Sequence, residues 1–334
     1  VLSIRGSITS TNARSDNFYN SKTWRGRPYS LNIRNVNATI SENESTVLSN
    51  EKTLTYTKTF NNAHSVTALG GFSMQKVKKF TYGYATMNIP NEALGMSGMD
   101  EGTPYEVTST LTNNGLASFF GRLNYGYKSR YLLTATFRGD GSSKFAPGNR
   151  WGYFPSAAFA WNIHNESFME SVSFLSNAKL RISHGLTGNN RVDDFAYMSQ
   201  LTTSSTAAAY SFNNATPSIG ARATSMGNSN LKWESTAQTD IGFDLGLLRN
   251  RIEITVDWYR KVTSDLLLNA PLPSNAGFTS AWMNIGKIEN SGWEFGLNTQ
   301  NLSTKSFSWT TGFNISFNRN KILELVNDEQ ERFT

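Results

Sequence analysis

Apolar and polar positions alternate with a period of two over most of the chain, the mark of strands with one greasy and one wet face. Phe119, Gly121, Leu123, Tyr125 and Tyr127 oppose Phe120, Arg122, Asn124, Gly126 and Lys128. After a short connection, Tyr131, Leu133, Ala135 and Phe137 oppose Leu132, Thr134, Thr136 and Arg138, which predicts a hairpin. Leu180 and Ile182 alternate with Lys179, Arg181 and Ser183. Ile241, Phe243, Leu245 and Leu247 then alternate with Asp240, Gly242, Asp244 and Gly246. Leu248-Arg249-Asn250-Arg251 supplies a tight turn into Ile252, Ile254, Val256 and Trp258, set against Glu253, Thr255, Asp257 and Tyr259. Trp293, Phe295 and Leu297 continue the pattern, as do Phe307, Trp309, Phe313, Ile315 and Phe317 opposite Ser308, Thr310, Gly312, Asn314, Ser316 and Asn318. The predicted strands are 46–60, 63–80, 116–129, 130–139, 153–163, 178–187, 195–203, 236–248, 251–262, 289–301 and 305–319, with a helical turn over 165–171.

Two packed sheets of a soluble sandwich would also alternate. Three features favour an antiparallel transmembrane β-barrel. The wet face is built of Gly, Ser, Thr and Asn with interspersed charge, as a water-filled lumen requires. Aromatic residues gather near strand ends (Trp151, Tyr153, Trp258, Tyr259, Trp293), where interfacial girdles lie. Tight turns alternate with long polar connections such as Ala85 to Asn114 and Gly188 to Trp233.

Composition narrows the function. Mean hydropathy is -0.42, and the longest apolar run, Ala157 to Trp161, is far short of the roughly 18 residues of a membrane helix. With no cysteine there is no disulfide, thiolate ligand or thiol nucleophile. His64, His164 and His184 lack metal-ligand or triad spacing. The net charge of +6 is scattered and forms no basic run of the kind that marks a nucleic-acid surface. Asp193-Asp194 and Asp100-Glu101 read as solvated loop acids, and Gly139-Asp140-Gly141-Ser142-Ser143 reads as a turn with left-handed glycines, lacking P-loop or EF-hand spacing. No catalytic, cofactor or metal site is expected, and the chain is not expected to be an enzyme. The substrate-contacting candidates are loop aromatics, Tyr197, Tyr210, Phe278 and Trp282, with Tyr105 and Phe212 beside them.

From Arg130 onward the sequence acquires specific motifs. Arg130-Tyr131-Leu132-Leu133-Thr134-Ala135-Thr136-Phe137-Arg138-Gly139-Asp140-Gly141-Ser142-Ser143-Lys144-Phe145 and Asn149-Arg150-Trp151-Gly152-Tyr153-Phe154-Pro155-Ser156 closely resemble the barrel of SusC/RagA-family TonB-linked outer-membrane proteins. The resemblance continues through Ala160-Trp161-Asn162-Ile163, Phe168-Met169, Leu180 to Gly185 and Thr187-Gly188-Asn189. It resumes at Asn228-Ser229-Asn230-Leu231-Lys232-Trp233-Glu234 and Gln238 to Asp244, then at Asp257-Trp258-Tyr259, Asp265 to Leu268, Pro271-Leu272-Pro273 and Asn284-Ile285-Gly286. Glu289-Asn290, Gly292-Trp293-Glu294 and Asn318-Arg319-Asn320-Lys321 complete it.

The resemblance implies a large plugged barrel of the 22-stranded type, multi-pass in the outer membrane of a Gram-negative bacterium. It also implies import of an oligosaccharide or peptide, driven by TonB and shared with a SusD-like surface lipoprotein. Val1 to Ser7 carry no initiating Met or signal-type segment, and Ile322 to Thr334 carry no terminal aromatic strand. Residues 1–334 are therefore expected to be an incomplete barrel domain without plug or last strands, dependent on missing strands to close in a bilayer. The competing functions are a passive porin-like or structural barrel, and a soluble β-sandwich for adhesion or glycan binding.

Overall fold

A computed structural model describes residues 1–29, 32–203, 208–211 and 218–325. In chain order the strands are β1 (Leu2–Tyr19), β2 (Asn37–Phe60), β3 (His64–Met87), β4 (Thr103–Tyr127), β5 (Tyr131–Ser142), β6 (Trp151–Asn162) and β7 (Leu175–Asn189). Four two-residue strands follow, β8 (Leu201–Thr202), β9 (Ala209–Tyr210), β10 (Ser218–Ile219) and β11 (Arg222–Ala223). The chain then forms β12 (Glu234–Leu247), β13 (Ile252–Ser264), β14 (Leu267–Pro271), β15 (Ser280–Asn284), β16 (Lys287–Ser303) and β17 (Ser308–Glu324). One 11-stranded sheet runs in the order β1-β2-β3-β4-β5-β6-β7-β12-β13-β16-β17. Each strand neighbours the next long strand in sequence, so the sheet is a meander without crossovers.

Register turns the alternation into two surfaces. Leu133, Phe159, Ile182, Ile241, Trp258, Trp293 and Phe317 pair successively across seven strands. One step along, Tyr131, Trp161, Leu180, Phe243, Val256, Phe295 and Ile315 do the same. Cross-strand apolar pairs of this kind contribute about 0.2–1 kcal/mol each. Large side chains on this face remain exposed, including Phe137, Ile182, Ile241, Trp293, Phe313 and Phe317. The buried clusters gather instead around connections and strand ends: Phe145, Val192, Ala196, Leu231 and Leu267 in one, Ala38, Ile89 and Met99 in the other. A sandwich would bury the apolar face against a second sheet. Here it meets only solvent or lipid, as the wall of a membrane barrel requires.

The tight connections at 61–63, 128–130, 248–251 and 304–307 contrast with longer ones at 20–36, 88–102, 190–233 and 265–286. Asn61 and Asn62 both take positive φ (49° and 51°), the left-handed pair of a hairpin turn that matches strand twist and suits asparagine. Leu248, Arg249 and Asn250 are also left-handed. The helical turn predicted at 165–171 forms as two 3-10 turns, Ile163–Asn165 and Ser167–Met169.

Four expectations need correction. β1 has no counterpart among the predicted strands, and β2 and β4 begin well before 46 and 116. The connection expected from Ala85 to Asn114 shrinks to 88–102, most of it the 3-10 segment Glu92–Glu101. Segment 195–203 is turns with only Leu201–Thr202 extended, because its apolar Ala196 is buried in the loop cluster and not on the sheet. Finally, Gly139 and Gly141 lie within β5, neither with positive φ.

The chain folds as two compact units. The larger comprises Val1–Ser3, Lys52–Ser73 and Ala117–Thr334; the smaller comprises Ile4–Glu51 and Met74–Leu116. The smaller has its own core, in which Phe18, Val36, Ile40 and Met96 pack on Ala38, Ile89 and Met99. Asn91 caps the 3-10 segment by accepting from the Ala93 amide at 3.2 Å.

Candidate functional site: the polar face and the loop rim

On the polar face of the larger unit, Arg181 of β7, Gly242 of β12 and Asp257 of β13 occupy one register row. Because position 242 has no side chain, the Arg181 guanidinium reaches across β12. It donates from Nε and Nη2 to Asp244 at 2.8 Å each, and its Nη2 lies 2.9 Å from Asp257 Oδ1. Asp240 accepts from Ser183 Oγ at 3.0 Å and Gln238 Nε2 at 2.8 Å. Tyr259 donates to Asn318 at 2.8 Å, whereas Arg260 pairs with Glu289 at 2.7 Å on the opposite phase, that of Trp258 and Trp293, near the strand ends. Toward the tight turns, a concavity of about 570 Å³ is lined by Lys179, Asp244, Glu253, Asn162 and Thr255, among others. The face is hydrated and carries both signs of charge, suited to lining a polar passage. Among the described residues no group of three or more His, Cys, Asp or Glu is placed to hold a metal ion.

At the other ends of these strands the sequence motifs converge. Phe145 and Leu231 are fully buried, with Trp233 and Trp282 packed on their cluster. Trp233 lies 5.6 Å from Phe145 and 5.5 Å from Phe154, ring to ring, and donates from Nε1 to the Arg150 carbonyl at 2.8 Å. Glu234 accepts from Asn189 Nδ2 and the Leu267 amide, both at 3.1 Å. Asn284 accepts from the Lys232 amide and donates to the carbonyls of Lys232 and Asp265, each at 2.9 Å. Three connections, 143–150, 190–233 and 265–286, are thereby tied into one rim. The glycines of β5 serve it differently from a turn. Gly141 pairs with Trp151 and Gly139 with Tyr153. A Cβ at 141 would come within 2.9 Å of the Trp151 ring, and one at 139 within 3.4 Å of Tyr153. Missing side chains make room for aromatic rings lying over the strand.

The family described as TonB dependent receptor-like, beta-barrel matches residues 2–332. The chain belongs to this family. Its relatives include TonB-dependent receptor P39 of Formosa agariphila, 38% identical over 84% of this chain and 26% of the relative. TonB-dependent receptor SusC of Bacteroides thetaiotaomicron is 41% identical over 68% of this chain and 23% of that protein. The chain thus spans about a quarter of the length of these relatives. In fold it is similar to the solved RagAB peptide transporter, with a TM-score of 0.85 at 23% identity over 98% of this chain and 35% of that one. It is also similar to the copper transporter OprC, with a TM-score of 0.55 at 12% identity over 97% and 46%. The TonB-dependent receptors are outer-membrane β-barrel transporters and receptors, not enzymes, and the exposed apolar belt of this one is its lipid-facing surface.

Within this TonB-dependent receptor barrel the predicted loop aromatics are dispersed. Trp282, half-buried, packs on the rim cluster and donates to Asp193 Oδ2 at 3.0 Å. Tyr197 and Phe278 are half-buried in the 190–233 and 265–286 connections, while Tyr210 is 67% exposed on β9. Tyr105 lies in β4 beneath the Arg34 guanidinium, 4.7 Å from its ring centre. Phe212 lies outside the described residues. Strand alternation reveals the charged phase but not the Arg181 triad, whose signal is a glycine flanked in register by opposite charges.

Two girdle features flank the lipid face. Tyr127, Tyr131 and Trp161 stack in series at 6.4 and 6.3 Å, and Phe119 stacks on Trp151 at 6.0 Å. Just outside the strands, the Glu166 carboxylate accepts from Trp161 Nε1 and Arg130 Nη1, both at 3.0 Å. Hydrogen bonds from Tyr131 and Trp161, then the charge of Arg130, hold its pKa below the ordinary glutamate value.

Proposed function

We propose that this chain is a stretch of the wall of an energy-coupled outer-membrane importer. In this reading it works with a plug and further strands outside this stretch, with TonB as the energy source and a SusD-like surface lipoprotein as partner. The cargo is an oligosaccharide or a peptide too large for open diffusion pores. The observation that carries the reading is the two-faced sheet: a continuous apolar belt faces outward, a charged and hydrated wall faces the other way, and a consolidated rim fixes the long connections. A rim held by a buried core suits a mouth that must present recognition surfaces, and in this reading the cargo-contact candidates are Tyr210, which is exposed, with Tyr197, Phe278 and Trp282.

The test is uptake by cells carrying the full-length protein, with and without functional TonB and with the neighbouring lipoprotein deleted. Uptake lost without TonB supports the importer. Uptake that persists without TonB would establish the passive-porin alternative instead.

A further inference from the structure

The smaller unit holds a site that the import reading does not use. Between β1 and β2 the chain forms a cleft of about 430 Å³, within the range of small-ligand sites. Its lining includes Trp24, Arg25, Tyr29, Arg34 and Tyr105 and no carboxylate. Trp24 and Tyr29 stack at 5.5 Å with 28° between their planes, and Trp24 is 65% exposed. The Arg27 guanidinium lies 5.1 Å from the Trp24 ring and 5.4 Å from Tyr29. Arg25 donates to the Tyr19 hydroxyl at 2.9 Å, and Arg34 lies over Tyr105. Among the described residues, Arg25, Arg27 and Arg34 form no ion pair with a carboxylate, whereas Arg14 on β1 is paired with Asp16.

The backbone beneath this cleft is fixed. Asn32 Nδ2 donates to the carbonyls of Arg25 and Arg27, and buried Asn37 donates to Arg25 and Asn35. Gly26 is buried where a Cβ would collide with the Tyr19 and Asn20 carbonyls. Glu92 accepts from the Ser21 amide at 2.7 Å and from its hydroxyl at 2.9 Å, and both contacts lower its pKa. The apolar core of Ala38, Ile89 and Met99 underlies the whole. The three guanidiniums are exposed but held against aromatic rings, so an incoming anion meets donors whose ordering cost is partly met by the fold.

We propose that this cleft recognises an acidic saccharide. The arginines offer forked donors to a carboxylate or sulfate, and the stacked Trp24–Tyr29 pair offers a flat apolar platform to the C–H face of a sugar ring. The remaining lining is mostly amide and hydroxyl, as at Asn17 and Thr39, with Ile33 its one aliphatic side chain. An extended peptide would call for several apolar side-chain pockets along its length, and a single exposed isoleucine, Ile33, does not supply them. The proposal rests on the import reading and narrows its cargo.

The test uses the full-length transporter purified in detergent, titrated calorimetrically with a galacturonate tetramer, its carboxyl-reduced neutral form, and a tetraglutamate peptide. The charged tetramer is expected to bind at least about tenfold more tightly than the neutral form, with Arg27→Gln and Arg34→Gln each weakening it about tenfold. Affinity should also fall with added salt, which reads the same contacts without any substitution. Equal affinity for the neutral form, no binding of the tetramer, or equal peptide binding with the same arginine dependence would overturn the proposal. TonB-dependent uptake of a neutral cargo alone would leave the importer standing and remove this cleft's role. Loss of TonB dependence would remove the importer and leave the binding result as measured.

Discussion

A methyl group at position 242 would land on the Asp257 carboxylate and within 2.7 Å of Arg181 Cζ. Gly242→Ala therefore has to displace the guanidinium or the carboxylate. The ion pairs are partly solvated, each worth under about 1 kcal/mol, and crowding adds its own cost, so a loss on the order of 1–2 kcal/mol is expected. Denaturant unfolding of the full-length barrel measures it. Gly296→Ala is the control, since its nearest neighbour is Thr255 Cβ at 3.8 Å; equal losses in the two variants would refute the role given to Gly242. Glu166 makes a second residue-level case. Its pKa is lowered on folding, so its contribution is fully present above the unfolded glutamate value and is lost as pH falls through the folded one. Glu166→Gln should be less stable than the parent at neutral pH. The gap should close only below the ordinary glutamate range, roughly under pH 4, and a gap unchanged across an acid series would remove the carboxylate from the argument.

Among elements, the strands legible in the sequence are those with a lipid face. β5, β12, β13, β16 and β17 announce themselves because one side must be apolar along its length. β1 and the first parts of β2 and β4 do so only in short stretches, Leu2, Ile4 and Ile8 in β1 and Tyr105, Val107 and Leu111 in β4. From Arg14 to Asn17 and from Ser41 to Ser45 both phases are polar, and β4, at 25 residues, far exceeds the roughly 10 needed to cross a bilayer. Where neither lipid nor core demands apolar residues, a strand carries no period and resembles a loop. Segment 195–203 misleads the other way, since its apolar residues answer to a loop cluster made by 145, 192, 231 and 267, a convergence that no local pattern encodes. That cluster also predicts a separation of elements. Leu231 is fully buried, so Leu231→Ala should cost the rim about 2–5 kcal/mol. Limited proteolysis should then cut within 190–233 while the sheet keeps its heat-modifiable migration; protection equal to the parent would mean the rim is held by other contacts.

At the scale of the whole molecule, the division into a lipid face and a lumen face makes a claim about sign. Ile241 sits in the middle of the apolar belt, paired with Ile182 and Trp258. Ser316 lies on the opposite face, paired with Glu294. The same side chain placed at each position meets two different solvents. An arginine at 241 must sit in hydrocarbon, at a cost of about 2–4 kcal/mol if it lies near the bilayer midplane. One at 316 stays hydrated beside Glu294, and the expected change is within about 0.5 kcal/mol. Ile241→Arg should therefore lower the folded fraction of the full-length protein in lipid vesicles, while Ser316→Arg should fold like the parent. A soluble sandwich would also resist arginine at its buried face, so the comparison is repeated with bilayer thickness as the variable. The Ile241→Arg cost should grow in thicker bilayers, because the charge then lies deeper from either interface. A cost independent of thickness would place Ile241 against protein, and the outward orientation of the apolar belt would have to be abandoned.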